Sequence, residues 1–382
     1  MYFQTRYLEE AKAFSGTSGL DTIELPNKGL LSGIDLTVYG TCGINAAKPD
    51  VWLHDRMTKI ELVVNGSQVV VSLSGEQILA LMLYKGMEHY SHDMKNMSGA
   101  SCEEFFHIPL GRCYHDLEFM LDLSRVNDPE LRIEYDFTKT SQNGWTNGVA
   151  MSAAPSRKVI PHILRDSLVV PKGYIKTSEV GRFTSGVSKK ENVNLPRGPV
   201  YGQIYLQSWY AAQGIGYLLD KLELNINSDD KIPCRIGPNE LAAITARRYG
   251  LFKMSQQLSA TGGQVYPFPL EQAVILMYQL GLVAYIPTYL DIWGNASGWG
   301  FRDQATGLTP YTGNLNITST LLGTWPFSVC PIPTVDLMDE RTWINSAELG
   351  DLWVRVEENA SGGTSAVIKV LADEIVTSYL PV

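Results

Sequence analysis

The sequence predicts an all-β protein built twice over, as two tandem sandwiches or barrels of antiparallel strands. Short segments such as Ile34-Asp35-Leu36-Thr37-Val38 alternate apolar and polar side chains, the two-residue period of a strand with one buried face. The 34 Gly and 19 Pro are spread along the chain, as turns between many short strands require. The stretch Thr22–Gly40 recurs at Asn192–Tyr210 with no gap: Leu25-Pro26 falls on Leu195-Pro196, Ile34 on Ile204 and Leu36 on Leu206, all at one constant offset. Helical patterning is confined to short pieces and there is no βαβ rhythm, which excludes a parallel α/β sheet.

The elements follow in order. Tyr2–Ala13 reads as a first strand and turn, and Tyr2-Phe3-Gln4-Thr5 resembles Tyr174-Ile175-Lys176-Thr177 at nearly the same offset. Pro26 and Pro196 precede the alternating strands, where a missing N–H costs no ladder bond. Thr58–Val64, Asn65-Gly66 and Gln68–Leu73 form a hairpin signal, because both turn residues tolerate positive φ. Its copy, at a slightly shorter offset, is Asp220–Ile226, Asn227-Ser228-Asp229-Asp230 and Lys231–Ile236. Ser74-Gly75-Glu76-Gln77 is a capping box opening a helix with Ile78, Leu81 and Met82 on one face and Gly86 as its stop. The second helix starts at Pro238 and stops at Gly250, the counterpart of Gly86. Ile108-Pro109-Leu110 pairs with Phe268-Pro269-Leu270 in the same series, and Leu131–Phe137 is another alternating strand.

The polar segment Thr138–Arg157 reads as a loop leading to the boundary. The units expected are therefore 1–164, with a linker at about 138–164, and 165–382, with longer loops at Asp291–Leu315 and Asp336–Gly350. Asp351–Val356 and Ser365–Tyr379 close the second unit. The most apolar stretch, Ala273–Ile286, is too short to span a bilayer and holds Gln279 and Gly281, so it reads as a buried helix or strand.

A net charge of −9 with only isolated basic doublets, Lys189-Lys190 and Arg247-Arg248, argues against binding nucleic acid through phosphates. No apolar signal segment opens the chain. Cys42, Cys102, Cys113, Cys234 and Cys330 contain no CxxC pair and read as reduced, buried thiols of a protein made in a cytoplasm. No phosphate-binding loop, GxGxxG, GxSxG or HExxH occurs. His89, His92, Cys102, His107, Cys113 and His115 are candidate ligands crowded into one short stretch, but their spacing matches no regular zinc pattern and the second unit lacks a counterpart. A cupin-type His-x-His pair is absent. Asp116, Glu118 and Asp122 qualify as glycosidase carboxylates by type alone. Trp52, Trp145, Trp293 and Trp299 lie in polar loops, where tryptophan stacks on sugars or plugs a barrel end. Sequons at Asn65, Asn96, Asn295, Asn316 and Asn359 are uninformative without a secretory signal. No catalytic, cofactor-binding or metal-ligating residue is assigned, and no cofactor is expected.

Together, IELPNKGLLSGIDLTVYGT, TKIELVVNGSQVVVSLSGEQILALMLYKG and HIPLGRCYHD with LDLS and ELRIEYDF resemble the first barrel of a double jelly-roll major capsid protein. PKGYIKTSEV and VNLPRGPVYGQIYLQSW resemble the start of the second. The relatives are tailless icosahedral viruses of bacteria and archaea, in the adenovirus-like lineage. The resemblance covers most of residues 1–270 and lies in the ordered series rather than in any one motif. It implies two tandem eight-stranded antiparallel jelly-roll barrels with short flanking helices. It further implies a structural, non-enzymatic virion protein whose pseudo-hexagonal homotrimers tile an icosahedral capsid. The partners implied are the chain itself, neighbouring capsomers, penton and minor capsid proteins and, in this lineage, an internal viral membrane. No sequence-specific nucleic-acid binding is implied. The rivals are a two-jelly-roll glycan-acting hydrolase, using Asp116, Glu118 or Asp122 with the loop tryptophans, and a carbohydrate- or receptor-binding spike module.

Overall fold

The structure, a computed structural model, describes residues 1–41, 51–88, 92–94, 101–144, 151, 153–211, 213–261, 264–267, 270–280, 290–295, 298–303, 314–360 and 362–377. The first barrel is built from β1 (Tyr2–Thr5), β2 (Ser18–Glu24), β3 (Leu30–Thr41), β4 (Met57–Val64), β5 (Gln68–Leu73), β6 (Ser101–Pro109), β7 (Glu130–Asp136) and β8 (Ser156–Arg165). One sheet runs β1-β8-β3-β6 and the other β2-β7-β4-β5, all antiparallel. The second barrel has β9 (Tyr174–Thr184), β10 (Lys190–Asn194), β11 (Val200–Gln207), β12 (Leu219–Ile226), β13 (Lys231–Ile236), β14 (Val329–Pro331), β15 (Leu352–Glu358) and β16 (Val367–Val376). Its sheets run β9-β16-β11-β14 and β10-β15-β12-β13. Adding eight to each label converts one barrel into the other. Both have the interleaved order of a jelly roll.

The alternation predicted for β3 is realised. Ile34, Leu36 and Val38 are fully buried in the first core, while Asp35, Thr37 and Tyr39 take the outer face. Thr22–Gly40 proves to hold the end of β2, a turn after Pro26 and most of β3. Asn65 and Gly66 turn at φ of 52° and 75°, and Asn227, Ser228 and Asp229 repeat the positive φ in the second copy. The short helices α1 (Leu53–Arg56) and α3 (Ile215–Leu218) precede the two hairpins and match between units. Each hairpin leads into a longer helix, α2 (Gly75–Tyr84) and α4 (Pro238–Tyr249), closed by Gly86 and Gly250 at φ of 76° and 77°. The Gln77 side chain accepts the Ser74 N–H at 2.9 Å, half of the predicted capping box.

Three expectations are corrected. The linker at 138–164 ends by residue 156, because Ser156–Arg165 is the central strand β8 of the first barrel. Pro161 speaks against a central strand, yet the neighbouring edge is broken there, between Thr5 and Glu9, so the missing N–H costs no bond. The counterpart of Ile108-Pro109-Leu110 is Ile332-Pro333-Thr334 rather than Phe268–Leu270, since β14 takes the place beside β11 that β6 takes beside β3, with Pro331 opposite Tyr205 as His107 is opposite Asp35. Asp291–Leu315 is also more than a loop. Between α4 and β14 the second barrel inserts Phe252–Thr261, Glu271–Leu280 and Asn314–Thr324 as one antiparallel sheet, with the hairpin Leu290–Asn295 and Gly298–Asp303 beyond it. Most of the apolar stretch at 273–286 is strand here, and 281–289 lies outside the described residues. His92–Met94 of the first barrel joins this sheet in parallel with Gln256–Leu258.

Candidate functional site: the barrel junction and its unused counterpart

The two barrels meet where α2 of the first lies on the outer face of the β9-β16-β11-β14 sheet of the second. Every residue of α2 is buried, although a surface helix would bury one stripe. Gln77 donates to Gln207 at 2.9 Å, the Tyr84 hydroxyl to the Val329 carbonyl at 2.6 Å, and Trp209 Nε1 to Asp55 at 3.0 Å. Lys85 Nζ reaches Asp373 at 3.4 Å, with both side chains at most 1% exposed. The Thr177 and Tyr205 hydroxyls also donate to Asp373, at 2.5 and 3.0 Å. Burial pushes the Tyr84 and Tyr205 phenols well above their ordinary range, so both remain neutral donors. Lys369 Nζ lies 3.7 Å from Glu76 at the rim. Thr177 and Ser178 of β9 also pair in parallel with Val71 and Ser72 of β5, which links a sheet of one barrel to a sheet of the other.

The pseudo-repeat assigns each junction residue a counterpart. Through the β3/β11 register, Tyr205, Gln207, Trp209, Lys369 and Asp373 correspond to Asp35, Thr37, Tyr39, Lys158 and His162 on the outer face of the first barrel. Among the described residues, that face carries no barrel. Thr37 and Tyr39 are half-buried, and Lys158 lies 4.8 Å over the Tyr39 ring. Through the helix-stop glycines, Glu76, Leu79 and Leu83 of α2 correspond to Glu240, Ala243 and Arg247 of α4, all three exposed. The described part of the chain thus uses one helix-on-sheet junction and leaves, among the described residues, one helix face and one sheet face of the same kind without a second barrel, the sheet face being covered only over His107 and His162 by Tyr114 and His115.

The outer face of the first barrel also holds a buried polar cluster. Cross-strand pairing sets His107 of β6 opposite Asp35, and His162 of β8 opposite Gly33 on the same strand. His107 Nδ1 lies 2.5 Å from Asp35 Oδ1, and His162 Nε2 lies 2.7 Å from Oδ2. His162 Nδ1 faces the Tyr114 hydroxyl at 3.3 Å and His115 Nε2 at 3.4 Å. His115 stacks on Phe3, with centroids 3.7 Å apart. A Cβ on Gly33 would stand 2.7 Å from His107 Nε2, so glycine makes the space for that ring. Burial works to raise the Asp35 pKa, but the hydrogen bonds from His107 and His162 prevail and hold it at about 2. Burial and the two neighbouring histidines lower that of His115.

The candidate ligands weighed from sequence are not brought together as a group. Cys102 faces the first core while His107, further along the same strand, faces outward. Cys113 lies half-exposed in the loop after β6, its thiol pKa raised by burial and Asp116. His89 is outside the described residues, and only the backbone of His92 is placed. Asp35 and His162, which do meet His107, stand on strands far from it in the chain, so no local spacing could reveal them.

Asp116 and Glu118 converge on Arg112, at 2.8 and 2.5 Å, and Asp122 caps the turn at Leu123–Arg125. Burial raises the Asp116 pKa but hydrogen bonds from Arg112 outweigh it, and Arg112 also lowers that of Glu118. A glycosidase acid needs the opposite shift. Trp52 is buried beside α1; Trp145 lies outside the described residues, and Trp293 and Trp299 stand on the inserted hairpin. Cys102, Cys113, Cys234 and Cys330 form no disulfide among the described residues, and Cys42 lies outside them.

No protein-family model matches this sequence, and no curated protein does. Solved structures do. The STIV MCP crystal structure aligns with a TM-score of 0.59 over 99% of this chain and 98% of its own, at 12% identity. The atomic structure of Sulfolobus Turreted Icosahedral Virus gives 0.57 over 99% and 91%, at 14%. The major capsid protein P2 of bacteriophage PM2 gives 0.51 over 98% of each chain, at 10%. The likeness spans both barrels and is one of fold: this chain has the double jelly-roll fold of the major capsid proteins of icosahedral viruses.

Proposed function

We propose that the protein is a major capsid protein of an icosahedral virion, in which three chains close a pseudo-hexagonal ring of six barrels. The observation that carries this is the matched pair of unused surfaces. Inside the chain, a barrel presents its helix to the outer sheet face of the next. Among the described residues, the second barrel has the matching face of α4 exposed, and the first has the matching sheet face without a barrel on it. A head-to-tail contact of this kind, repeated from chain to chain, closes when the rotation fits. The units 1–164 and 165–382 are then the two building blocks, and the inserted sheet is the segment free to project from the shell. Neighbouring capsomers, penton and minor capsid proteins, and an internal membrane are the further partners of this reading. Among the described residues no helix is long and apolar enough to cross a membrane.

The test uses the counterpart of the Lys369–Glu76 pair, which is Lys158 of one chain against Glu240 of the next. Lys158→Glu and Glu240→Lys each place like charges at the contact and weaken assembly, by about 1 kcal/mol per contact. The double variant restores it. Sedimentation and light scattering read the mass, expected at three times the 42.3 kDa chain. A folded monomer at every concentration overturns the proposal.

A further inference from the structure

The Asp35, His107 and His162 side chains lie on the outer sheet face that the assembly reading sets against the next chain, and that reading gives their donor atoms no role. We propose that they bind one borderline divalent cation, zinc(II) by its chemistry, which ties β3, β6 and β8 together on the outer face of the first barrel. His107 Nδ1, His162 Nε2 and an Asp35 carboxylate oxygen all lie within 4.8 Å of one another. Two imidazole nitrogens and one carboxylate form a donor set suited to zinc, with ligand bonds of about 2.0–2.2 Å. The three donors come from neighbouring strands of one sheet, so the backbone ladder positions them before any ion arrives.

The surroundings support the assignment. Metal-bound histidines characteristically engage their second nitrogen with a polar partner, which fixes the tautomer. His162 Nδ1 has the Tyr114 hydroxyl at 3.3 Å and His115 Nε2 at 3.4 Å for this role. The His107 and His162 side chains are at most 4% exposed, whereas Asp35 is 14% exposed, so the carboxylate side is open to water as a fourth ligand. Gly33 keeps the His107 ring in place by having no Cβ to meet it. The protons balance. Without metal, the N–H groups of His107 Nδ1 and His162 Nε2 point at the carboxylate. On binding, each neutral imidazole keeps its single proton on the other nitrogen, and the metal takes the vacated lone pairs.

The experiment strips the whole protein with chelator and titrates it with cobalt(II), whose visible bands report low-coordinate nitrogen and oxygen ligation, and then with zinc(II) as competitor. One equivalent per chain is expected, displaced by zinc, with a rise in Tm under zinc that magnesium does not give. Asp35→Asn, His107→Gln and His162→Gln each lose the equivalent. Tyr114→Phe retains it with affinity weaker by about tenfold. Cys102→Ser and Cys113→Ser leave it unchanged. X-ray absorption of the zinc-loaded parent reads the ligands without any variant having to fold. Two imidazoles with only light-atom neighbours support the site, while sulfur ligation overturns it. No cobalt bound by the parent, or full binding in all three ligand variants, overturns it as well. Metal stoichiometry and ligand type are read separately from particle mass, so a failure of metal binding and a failure of assembly are told apart.

Discussion

Glu271 opens a strand of the inserted sheet at 3% exposure, where the Gly216 N–H donates to it at 2.9 Å and the Ser328 hydroxyl donates to its other oxygen. Burial outweighs these hydrogen bonds and raises its pKa to about 7. Between its ordinary 4.5 and about 7 the native protein holds a proton that the unfolded chain has released. The stability from that proton is fully present below about pH 4.5, falls as pH rises to about 7 and is level above. Glu271→Gln keeps the shape and removes the titration. Urea unfolding should find the parent losing about 3 kcal/mol across that window relative to the variant. Equal pH slopes for the two proteins would refute the assignment. Such residues were illegible in the sequence because their chemistry depends on what covers them. Glu271 reads as one acid among 40 Asp and Glu, and Asp35 as the polar residue of an alternating strand.

Most of the elements were legible, because strand alternation, positive-φ turns and helix stops are local. β8 was not, since Pro161 argues against a central strand and only the tertiary break between Thr5 and Glu9 admits it. The inserted hairpin was missed because its strands are rich in Gly and Asn, which read as loop. Glycines separate two sources of constraint at this scale. Gly66 has φ of 75° and nothing within 4 Å of an added Cβ, so Gly66→Ala should cost only the backbone term, about 1–2 kcal/mol. Gly33 has no such φ, but its Cβ would stand 2.7 Å from His107 Nε2 and 3.0 Å from the Ile108 carbonyl. Gly33→Ala must therefore displace strand β6 or the histidine, and denaturant midpoints should place it below Gly66→Ala in stability. The reverse order would show that the sheet yields there without cost.

The duplication was legible from landmarks recurring in one order at nearly constant offsets, but the junction was not, because nothing local says which outer face a second barrel will cover. In the structure that junction joins the apolar packing of the two units. Tyr205, Trp209, Val329 and Leu371 of the second barrel belong to the same apolar cluster as the core of the first. At its centre Lys85 and Asp373 are both buried, and Asp373 also accepts from Thr177 and Tyr205. Removing one member of a buried pair strands the other charge, at a cost of about 3–5 kcal/mol. Lys85→Met leaves Asp373 with its two hydroxyl donors, whereas Asp373→Asn leaves an ammonium with an amide oxygen alone. Asp373→Asn should therefore be the more damaging, and the double variant less damaging than the two single losses added together. Because both residues act across the junction, calorimetry should find the whole chain melting in one transition that moves down as a unit in each variant. Two transitions, of which only one responds, would mean that the barrels are energetically independent and that the shared cluster contributes little to their cooperation.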